Sequence, residues 1–347
     1  MALPGRKKPT HALYFFQSRR IVAVWLMLFM GGAAAVALPK EKRFEEANAL
    51  FERARTVSGL EAEDGAPFRL EAVLYVRTAE GVVEGHYVLV WQSHHQWRDE
   101  LTLPRYSQLR IDTEAALWRQ RNTNHQLLPA LQFLYGMDFG ARLTKEDKHW
   151  SVTAAKGKGL VNPPKCAKLE SHSSMVPVPP TYEWCFDPDS GVLARKSWSD
   201  WDTTWEYLEY APWNGKLYAR RINIAQGGKR VVEAHITVTD APKLEPGTFA
   251  PPEGAEEWPR CENARPATVA SSDPQFLSGP GARRPLTPIL VEVGRDGHVQ
   301  DVLVLRPLTS ARQEQLITVD LKQRWSFHPA TCDKAPIPFT LMFELPI

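Results

Sequence analysis

Residues 290–305 read LVEVGRDGHVQDVLVL, and this stretch decides the fold of the C-terminal part of the chain. Leu290 to Val293 and Val299 to Leu305 alternate apolar and polar residues, as strands with one buried face do. Asp296-Gly297 between them is a hairpin dipeptide, because glycine readily takes the positive φ that a two-residue turn requires. The stretch therefore predicts two antiparallel strands joined by a tight turn.

A helix and a closing strand are predicted after this hairpin. Thr309 or Ser310 can cap a helix that runs to about Arg324. Its buried side is expected to carry these residues: Leu316, Ile317, Val319 and Leu321. A last strand then begins near Ile337, and alternate residues of it share one face: Phe339, Leu341, Phe343 and Leu345.

The order strand, turn, strand, helix, strand resembles the C-terminal domain of TonB, a periplasmic family that energises outer-membrane transporters. The resemblance spans about residues 265–347 and depends on these features: Asp296-Gly297, Val299, Val302, the Trp325-x-Phe327-x-Pro329 run and the strand Ile337 to Leu345. It implies that an extended transporter segment pairs with the backbone edge of the last strand. The implied edge residues are Phe339, Thr340, Leu341, Met342, Phe343, Glu344 and Leu345.

The larger N-terminal part predicts a helix followed by an antiparallel meander. Residues 41–57 carry apolar residues at helical spacing, namely Ala47, Leu50, Phe51, Ala54 and Val57. Strands are predicted at 68–77, 83–91, 96–103, 106–111 and 116–121, and, after a second helix at 127–139, at 166–169, 182–186, 192–198, 205–210, 217–224 and 231–238. The expected fold class is therefore α+β, with one large, curved antiparallel sheet and a few helices.

This part is similar to the LolA/LolB-like family of periplasmic carriers of lipidated proteins. The similarity depends on the helix-then-meander order, on the hairpin from Tyr182-Glu183-Trp184-Cys185-Phe186-Asp187 to Gly191-Val192-Leu193, and on Phe249-x-Pro251-Pro252. It implies an apolar cavity on the inner side of the sheet. The candidate lining residues are Trp91, Trp97, Leu101, Trp184, Trp198, Trp205 and Tyr207, although aromatic residues on strands are usually ordinary core.

Proline density predicts how the two parts are joined. Nine prolines fall between Pro242 and Pro285, and such a run can maintain neither a helix nor a central strand. The predicted organisation is a LolA-like domain at 41–252, a linker at 253–287 with the boundary near Pro259, and a TonB-like ββαβ domain at 288–347.

The N-terminus has the order of a secretory signal. Residues 1–37 carry five basic residues and no acidic one, then an apolar run from Ile21, then Ala35-Val36-Ala37, an A-x-A cleavage site. Counted to Leu38, the run has eighteen residues, so an uncleaved inner-membrane anchor is the alternative to a cleaved signal and a periplasmic protein. Without these residues the net charge changes from +2 to −3, which does not indicate a nucleic-acid surface.

The four cysteines predict two disulfides, because an exported chain enters an oxidising compartment. Three connectivities are possible, and the favoured pairs are Cys166–Cys185 and Cys261–Cys332, each within one expected domain. No Cys-x-x-Cys spacing supports zinc. His86, His94 and His95 lack a carboxylate at ligand spacing, so no metal and no cofactor is expected.

Catalytic motifs are absent from the sequence. There is no Gly-x-Ser-x-Gly, His-Glu-x-x-His or phosphate-binding glycine loop. Asp187-x-Asp189-x-Gly191 resembles the start of a calcium loop, but Trp198 stands where the bidentate glutamate belongs, so a plain turn is expected. Asp200, Asp202 and Glu206 beside tryptophans would suit glycan hydrolysis, but a turn with solvated acids is the commoner cause of such a pattern.

The main expectation is therefore a non-enzymatic envelope protein that binds or energises an outer-membrane transporter by strand pairing. The alternative is a periplasmic carrier of lipid or lipoprotein, with the C-terminal part as a scaffold.

Overall fold

The structure is a computed structural model, and it describes residues 40–61, 65–78, 81–122, 150–156, 164–171, 181–198, 202–241, 245, 247–261, 264–271, 286–304 and 311–346. The predicted signal or anchor at 1–37, the helix predicted at 127–139, the helix cap at Thr309 or Ser310, and Asp200 lie outside these residues. Pro39–Ile347 forms one compact unit. Neither helix of the described part has the length and apolar character that crossing a membrane requires.

Two helices occur in the described part, α1 (Lys40–Ser58) and α2 (Ala311–Arg324). The first strands are β1 (Phe68–Thr78), β2 (Gly81–Ser93), β3 (Gln96–Leu103), β4 (Tyr106–Asp112), β5 (Ala116–Arg121), β6 (Trp150–Lys156), β7 (Lys165–Ser171), β8 (Thr181–Phe186), β9 (Leu193–Trp198), β10 (Thr203–Trp213), β11 (Lys216–Gln226) and β12 (Lys229–Asp240). The later strands are β13 (Glu256–Pro259), β14 (Thr268–Ser271), β15 (Leu286–Val293), β16 (Val299–Val304), β17 (Ser326–His328), β18 (Ala330–Cys332), β19 (Ala335–Ile337) and β20 (Phe339–Pro346).

The first thirteen strands form one antiparallel sheet in the order β13-β5-β4-β3-β2-β1-β12-β11-β10-β9-β8-β7-β6. Almost every neighbour in this order is also a neighbour in sequence, as the meander pattern predicts. The exceptions are β12, which returns to β1, and β13, which extends the sheet beyond β5. The predicted large antiparallel sheet with few helices is thus confirmed.

The large sheet buries one face. In β1, Leu70, Leu74 and Val76 are buried. Arg69 and Glu71, on either side of Leu70 in sequence, lie on the opposite face and form an ion pair there. We call the buried side the inner face. Helix α1 packs on it through Ala47, Phe51 and Ala54, which contact apolar residues of β7 and β8. Alternation along the strands therefore predicted the buried side correctly.

Strand β10 departs from simple alternation at Glu209. This residue has φ +56°, in the left-handed region, and no partner on β11 is assigned to it between the pairs Leu208–Arg221 and Tyr210–Ala219. Tyr207 and Tyr210, three residues apart, both pack on the inner-face core as a result. A strict period of two would have put them on opposite faces.

The C-terminal part has a second sheet with the order β16-β15-β20, and α2 packs beside it. Ile317 and Leu321 of α2 are buried as predicted, but Leu316 and Val319 are exposed. Residues 317 and 321 form one stripe at a spacing of four, whereas Val319 lies about 200° around the helix from Ile317. The sequence prediction was therefore wrong for Leu316 and Val319.

Residues 325–346 form four strands, where the sequence predicted one. The additional strands are short: β17 pairs with β14, and β18 pairs with β19 around a turn at Asp333 and Lys334, both of which have positive φ. The strand pattern is interrupted because prolines at 329, 336 and 338 limit each ladder to a few residues.

The segment predicted as a linker contributes residues to the large sheet, to a separate two-stranded sheet and to the second sheet. Within 253–287, β13 pairs with β5 at the edge of the large sheet, and β14 pairs with β17. Strand β15 also begins at Leu286 rather than after Pro288. Short strands at a sheet edge tolerate nearby prolines, and proline density therefore overstated the length of irregular chain.

Candidate ligand-binding face

The centre of the inner face is apolar. Strands β1, β2, β11 and β12 contribute buried aliphatic and aromatic side chains: Phe68, Leu70, Leu74, Val76, Tyr87, Leu89, Trp91, Ile222, Ile224, Val232, Ile236 and Val238. Aromatic residues that are only half-buried border this core: Trp97, Tyr182, Tyr207, Tyr210, Trp213 and Tyr218. Half-buried rings of this kind offer apolar surface together with a polar tip.

The seven residues predicted to line a cavity fall on this face, in two contiguous clusters. Trp91, Leu101, Trp198 and Trp205 are buried core residues, so the ordinary interpretation holds for them. The three half-buried members are the candidates for contact with a ligand: Trp97 and Tyr207 beside the main core, and Trp184 beside α1.

An aromatic group surrounds Lys196 where the inner face approaches α1. The Lys196 ammonium lies 5.6 Å from the ring centroid of Trp184 and 5.4 Å from that of Trp205. Tyr182 stacks on Trp184 with centroids 5.7 Å apart. Burial raises the pKa of Tyr207 well above the usual value of tyrosine. Burial also raises the pKa of Tyr210, and the neighbouring Tyr207 adds to this effect, so both phenols stay neutral at physiological pH.

The opposite end of the inner face, on β3 to β5 and β13, is charged. Asp99 of β3 is buried and accepts hydrogen bonds from Arg110 of β4 and, at 3.2 Å, from Tyr87. The side chains of Arg119 and Arg121 on β5 are 12% and 17% exposed. Charges held this far from water need partners, and most of theirs come from the second sheet.

Arg119 and Arg121 bind two carboxylates of the second sheet. Arg119 forms a fork with Glu292 of β15, with Nη1 to Oε1 at 2.8 Å and Nη2 to Oε2 at 3.1 Å. Arg121 donates to Glu292 at 2.8 Å and to Asp301 of β16 at 3.1 Å. Lys322 of α2 lies 3.7 Å from Asp301. We call these five residues the charge cluster.

Burial changes the titration of the charge cluster. It raises the pKa of Asp301, and the neighbouring charge of Glu292 adds to this effect. Burial opposes the charge of Arg121, but Glu292 and Asp301 more than compensate and raise its pKa. Burial also raises the pKa of nearby Tyr106 to about 12. Arg121 therefore stays charged across the accessible pH range.

Beside Glu292 and Asp301, two leucines of the second sheet also contact the large sheet. Leu290 pairs with Leu303, as Glu292 pairs with Asp301, and the four side chains share one face because alternate residues do. Leu303 is buried and Leu290 half-buried against the apolar core of the inner face. The other face, with Ile289, Val291 and Val302, packs with α2. The second sheet thus lies between α2 and the large sheet.

The sequence interpretation missed the charge cluster. A signal was present, because Glu292 and Asp301 interrupt otherwise apolar strands and Arg119 and Arg121 share one face of β5. The sequence could not show which of these residues pair, because Arg119 and Glu292 are 173 residues apart and Arg121 and Asp301 are 180 residues apart.

Both predicted disulfides, Cys166–Cys185 and Cys261–Cys332, are present. The first joins directly opposite residues of β7 and β8. Glu183 and these two sulfurs form a cluster of ligand atoms in the described part of the chain, but sulfurs bonded to each other cannot act as thiolates.

The three histidines considered as metal ligands are not brought together. His86 lies 3.6 Å from Glu84 on the exposed face of β2. His94, which contacts the ring of Trp91, is eight residues further on, or about 26 Å along an extended chain.

The remaining acids lie in turns or on exposed strand faces. Asp187 accepts hydrogen bonds from the backbone amide and hydroxyl of Ser190 and from the amide of Asp189, and these bonds lower its pKa. This is the plain turn that the sequence predicted. Of the acids considered for glycan hydrolysis, Asp202 is in a turn and Glu206 is exposed on β10.

Strand β20 is at the edge of the second sheet, since it pairs with β15 alone among the described residues. It contains all seven residues predicted to form a partner-binding edge, from Phe339 to Leu345. None of the seven is proline, so each has a backbone N–H; in an antiparallel strand these groups point alternately toward the neighbouring strand and away from it, so about half of them face the open edge of β20.

A scan against protein-family models found no match, and neither did a search of curated proteins. The resemblance to the TonB C-terminal domain therefore gains no support from these comparisons.

Solved structures with some similarity include a LolA superfamily protein from Nitrosomonas europaea, at 9% identity, 59% coverage of this chain, 97% coverage of that chain and a TM-score of 0.38. A DUF1329 family protein from Desulfovibrio piger has 9% identity, coverages of 60% and 97%, and a TM-score of 0.40. The MucA/MucB complex structure of Pseudomonas aeruginosa has 10% identity, coverages of 84% and 95%, and a TM-score of 0.27. These scores are all below 0.5, so the function is inferred from the geometry of the inner face.

Proposed function

We propose that this protein is a non-enzymatic envelope carrier that holds the apolar chain of a lipid or a lipidated protein on the inner face of its large sheet. The observation that carries the proposal is the border of half-buried aromatic side chains around the apolar core, among them Trp97, Tyr207, Tyr210, Trp213 and Tyr218. Each methylene group of an acyl chain that is buried there contributes about 0.8 kcal/mol.

The disulfides support an exported location. Disulfides such as Cys166–Cys185 and Cys261–Cys332 form and persist in oxidising compartments such as the bacterial periplasm, and are rare in the cytosol. Together with the sequence of residues 1–37, this agrees with a carrier that works outside the cytoplasm.

Lipid content tests the proposal directly. The full chain is produced in a Gram-negative host and purified, and bound lipid is extracted and quantified by mass spectrometry. We expect about one acyl-containing molecule per protein at saturation. Lipid at the level found on an unrelated exported protein of similar size would refute a carrier role.

A matched pair of variants places the lipid on the inner face. Trp213→Glu puts a charge among apolar side chains next to Phe68, whose ring is 5.8 Å away. Tyr75→Glu makes the same kind of change on the exposed face of β1, where the tyrosine is 40% exposed. We expect Trp213→Glu to lose most of the lipid and Tyr75→Glu to retain it. Equal lipid content in both variants would contradict the proposed site.

A second candidate is strand pairing with an outer-membrane transporter, favoured by the edge position of β20. The full chain would then bind extended peptides from the N-termini of transporters. Adjacent residues of a strand present their N–H groups to opposite sides, so proline at either Leu341 or Met342 would remove a donor from the open edge and weaken binding. Unchanged affinity of both variants, or no binding at high micromolar peptide, would exclude this candidate.

A further inference from the structure

The face that the second sheet presents to the large sheet has a defined chemistry. Leu290 and Leu303 contact the apolar core of the inner face, and Glu292 and Asp301, beside them, contact Arg119 and Arg121. Two apolar side chains next to two carboxylates have the arrangement of an amphiphile with an acidic headgroup.

We propose that the inner face binds an anionic amphiphile in the place that the second sheet occupies, with its acidic headgroup on the arginines of β5 and its chain on the apolar core. The second sheet is then an internal occupant that the ligand displaces. This inference rests on the proposed carrier function and names the ligand class of the same site.

The arginines suit such a headgroup. A guanidinium presents its donors as a planar fork that matches the oxygens of a carboxylate or a phosphate. Arg119 already binds Glu292 in this way, through two hydrogen bonds of 2.8 and 3.1 Å. An acidic headgroup offers the same acceptor atoms, and exchange therefore leaves no buried arginine without a partner.

Arg119 and Arg121 differ in which interaction partners they retain when the second sheet moves away. Arg119 retains partners on β13, because Glu256 lies 3.0 Å from its Nη2 and the ring of Trp258 lies 4.3 Å from its guanidinium carbon. The carboxylates that bind Arg121, Glu292 and Asp301, are both on the second sheet. Arg121 is thus the residue whose charge the headgroup must replace.

The connections of the second sheet keep it attached during displacement. The Cys261–Cys332 disulfide joins the chain two residues after β13 to β18. Arg260 also binds Asp112 of β4. The contacts that have to break are the face with Leu290 and Leu303, the ion pairs of Glu292 and Asp301, and the hydrogen bond from Arg295 to the backbone carbonyl of Glu257 on β13, while the covalent link to the large sheet remains.

Paired probes test the ligand class on the full chain. We use cis-parinaric acid, which is anionic, and its methyl ester, which has the same chain without the charge. The wild type should bind the acid about ten-fold more tightly than the ester, as one charge-assisted fork allows. Arg121→Met should remove this preference. Glu292→Gln/Asp301→Asn should bind the acid about ten-fold more tightly than the wild type, because the internal carboxylates no longer compete.

The control is Glu71→Gln/Glu100→Gln, which removes two exposed carboxylates that pair with Arg69 and Arg98. It should bind both probes as the wild type does. Equal affinities for acid and ester in the wild type and in Arg121→Met would overturn the ligand class and leave the carrier function standing. Binding of neither probe by any variant would refute both.

Thiol labelling tests the displacement separately. Leu303→Cys places a reactive group under the second sheet, and Val302→Cys places one on its other face, against α2. All four native cysteines are in disulfides. The acid should accelerate labelling of Leu303→Cys about ten-fold and leave Val302→Cys unchanged. An unchanged or slower rate for Leu303→Cys would show that the ligand binds without moving the second sheet.

Discussion

The substitution Arg121→Met should destabilise the fold by separating two buried acids from their shared cation. Glu292 and Asp301 have side chains that are 14% and 11% exposed, and both bind Arg121. Methionine keeps most of the side-chain volume, so the loss is mainly one of charge. The perturbation therefore tests whether the charge cluster holds the two sheets together.

The size of the destabilisation depends on the contacts that Glu292 and Asp301 keep after the substitution. Removing one partner of a buried ion pair typically costs about 3–5 kcal/mol. Arg119 still binds Glu292 at 2.8 Å, and Lys322 lies 3.7 Å from Asp301, and these contacts offset part of the cost. We expect a loss of about 2 kcal/mol in the free energy of unfolding. With a urea m-value of about 3 kcal/mol/M, the midpoint falls by about 0.7 M.

The assay is urea unfolding monitored by tryptophan fluorescence, with Arg98→Met as the control. Arg98 pairs with exposed Glu100 on the opposite face of the large sheet, and such pairs contribute about 1 kcal/mol or less. Combining Arg121→Met with Asp301→Asn should recover about 1 kcal/mol, because the unpaired charge is removed. Equal midpoints for Arg121→Met and Arg98→Met, or no recovery in the double variant, would refute the role of the cluster.

Three further predictions concern stability. Gly297→Ala should cost at least about 2 kcal/mol, because φ is +80° and a Cβ would clash with the backbone carbonyl of Phe327 on β17. Gly215→Ala, at φ +75° with open space around it, should cost only about 1 kcal/mol in the same chemical unfolding assay. Removing the Cys261–Cys332 disulfide should cost about 4 kcal/mol and removing Cys166–Cys185 about 3, since the closed loops differ in length, with sequence separations of 71 and 19; equal calorimetric losses would contradict this order. Burial raises the folded-state pKa of Asp301 above its usual value of 3.8. The stabilisation that protonated Asp301 contributes is therefore full below pH 3.8 and is lost as the pH rises through the folded-state pKa. Asp301→Asn should lack this slope between pH 4 and neutral, and a pH profile identical to that of the wild type would contradict the assignment.

Local patterns determined much of this fold. Helix α1 was predicted to within one residue at each end, and eleven of the thirteen strands of the large sheet were predicted close to their observed bounds. Alternation identified the inner face of β1 and β2, and the Asp296-Gly297 dipeptide identified the turn between β15 and β16. The sequence could supply these features because each depends on residues that are close together in the chain.

The tertiary structure decided how distant elements meet. Strand β13 was predicted as linker because its affinity for β5 depends on a partner more than a hundred residues away, and Val319 was assigned to the wrong side of α2 because the packed stripe is narrower than the apolar pattern. The charge cluster joins β5 to β15 and β16 across more than 170 residues. Composition and spacing specify which side chains must be buried and paired, but the free energy of burying a charge is set by the partner that the completed fold brings to it.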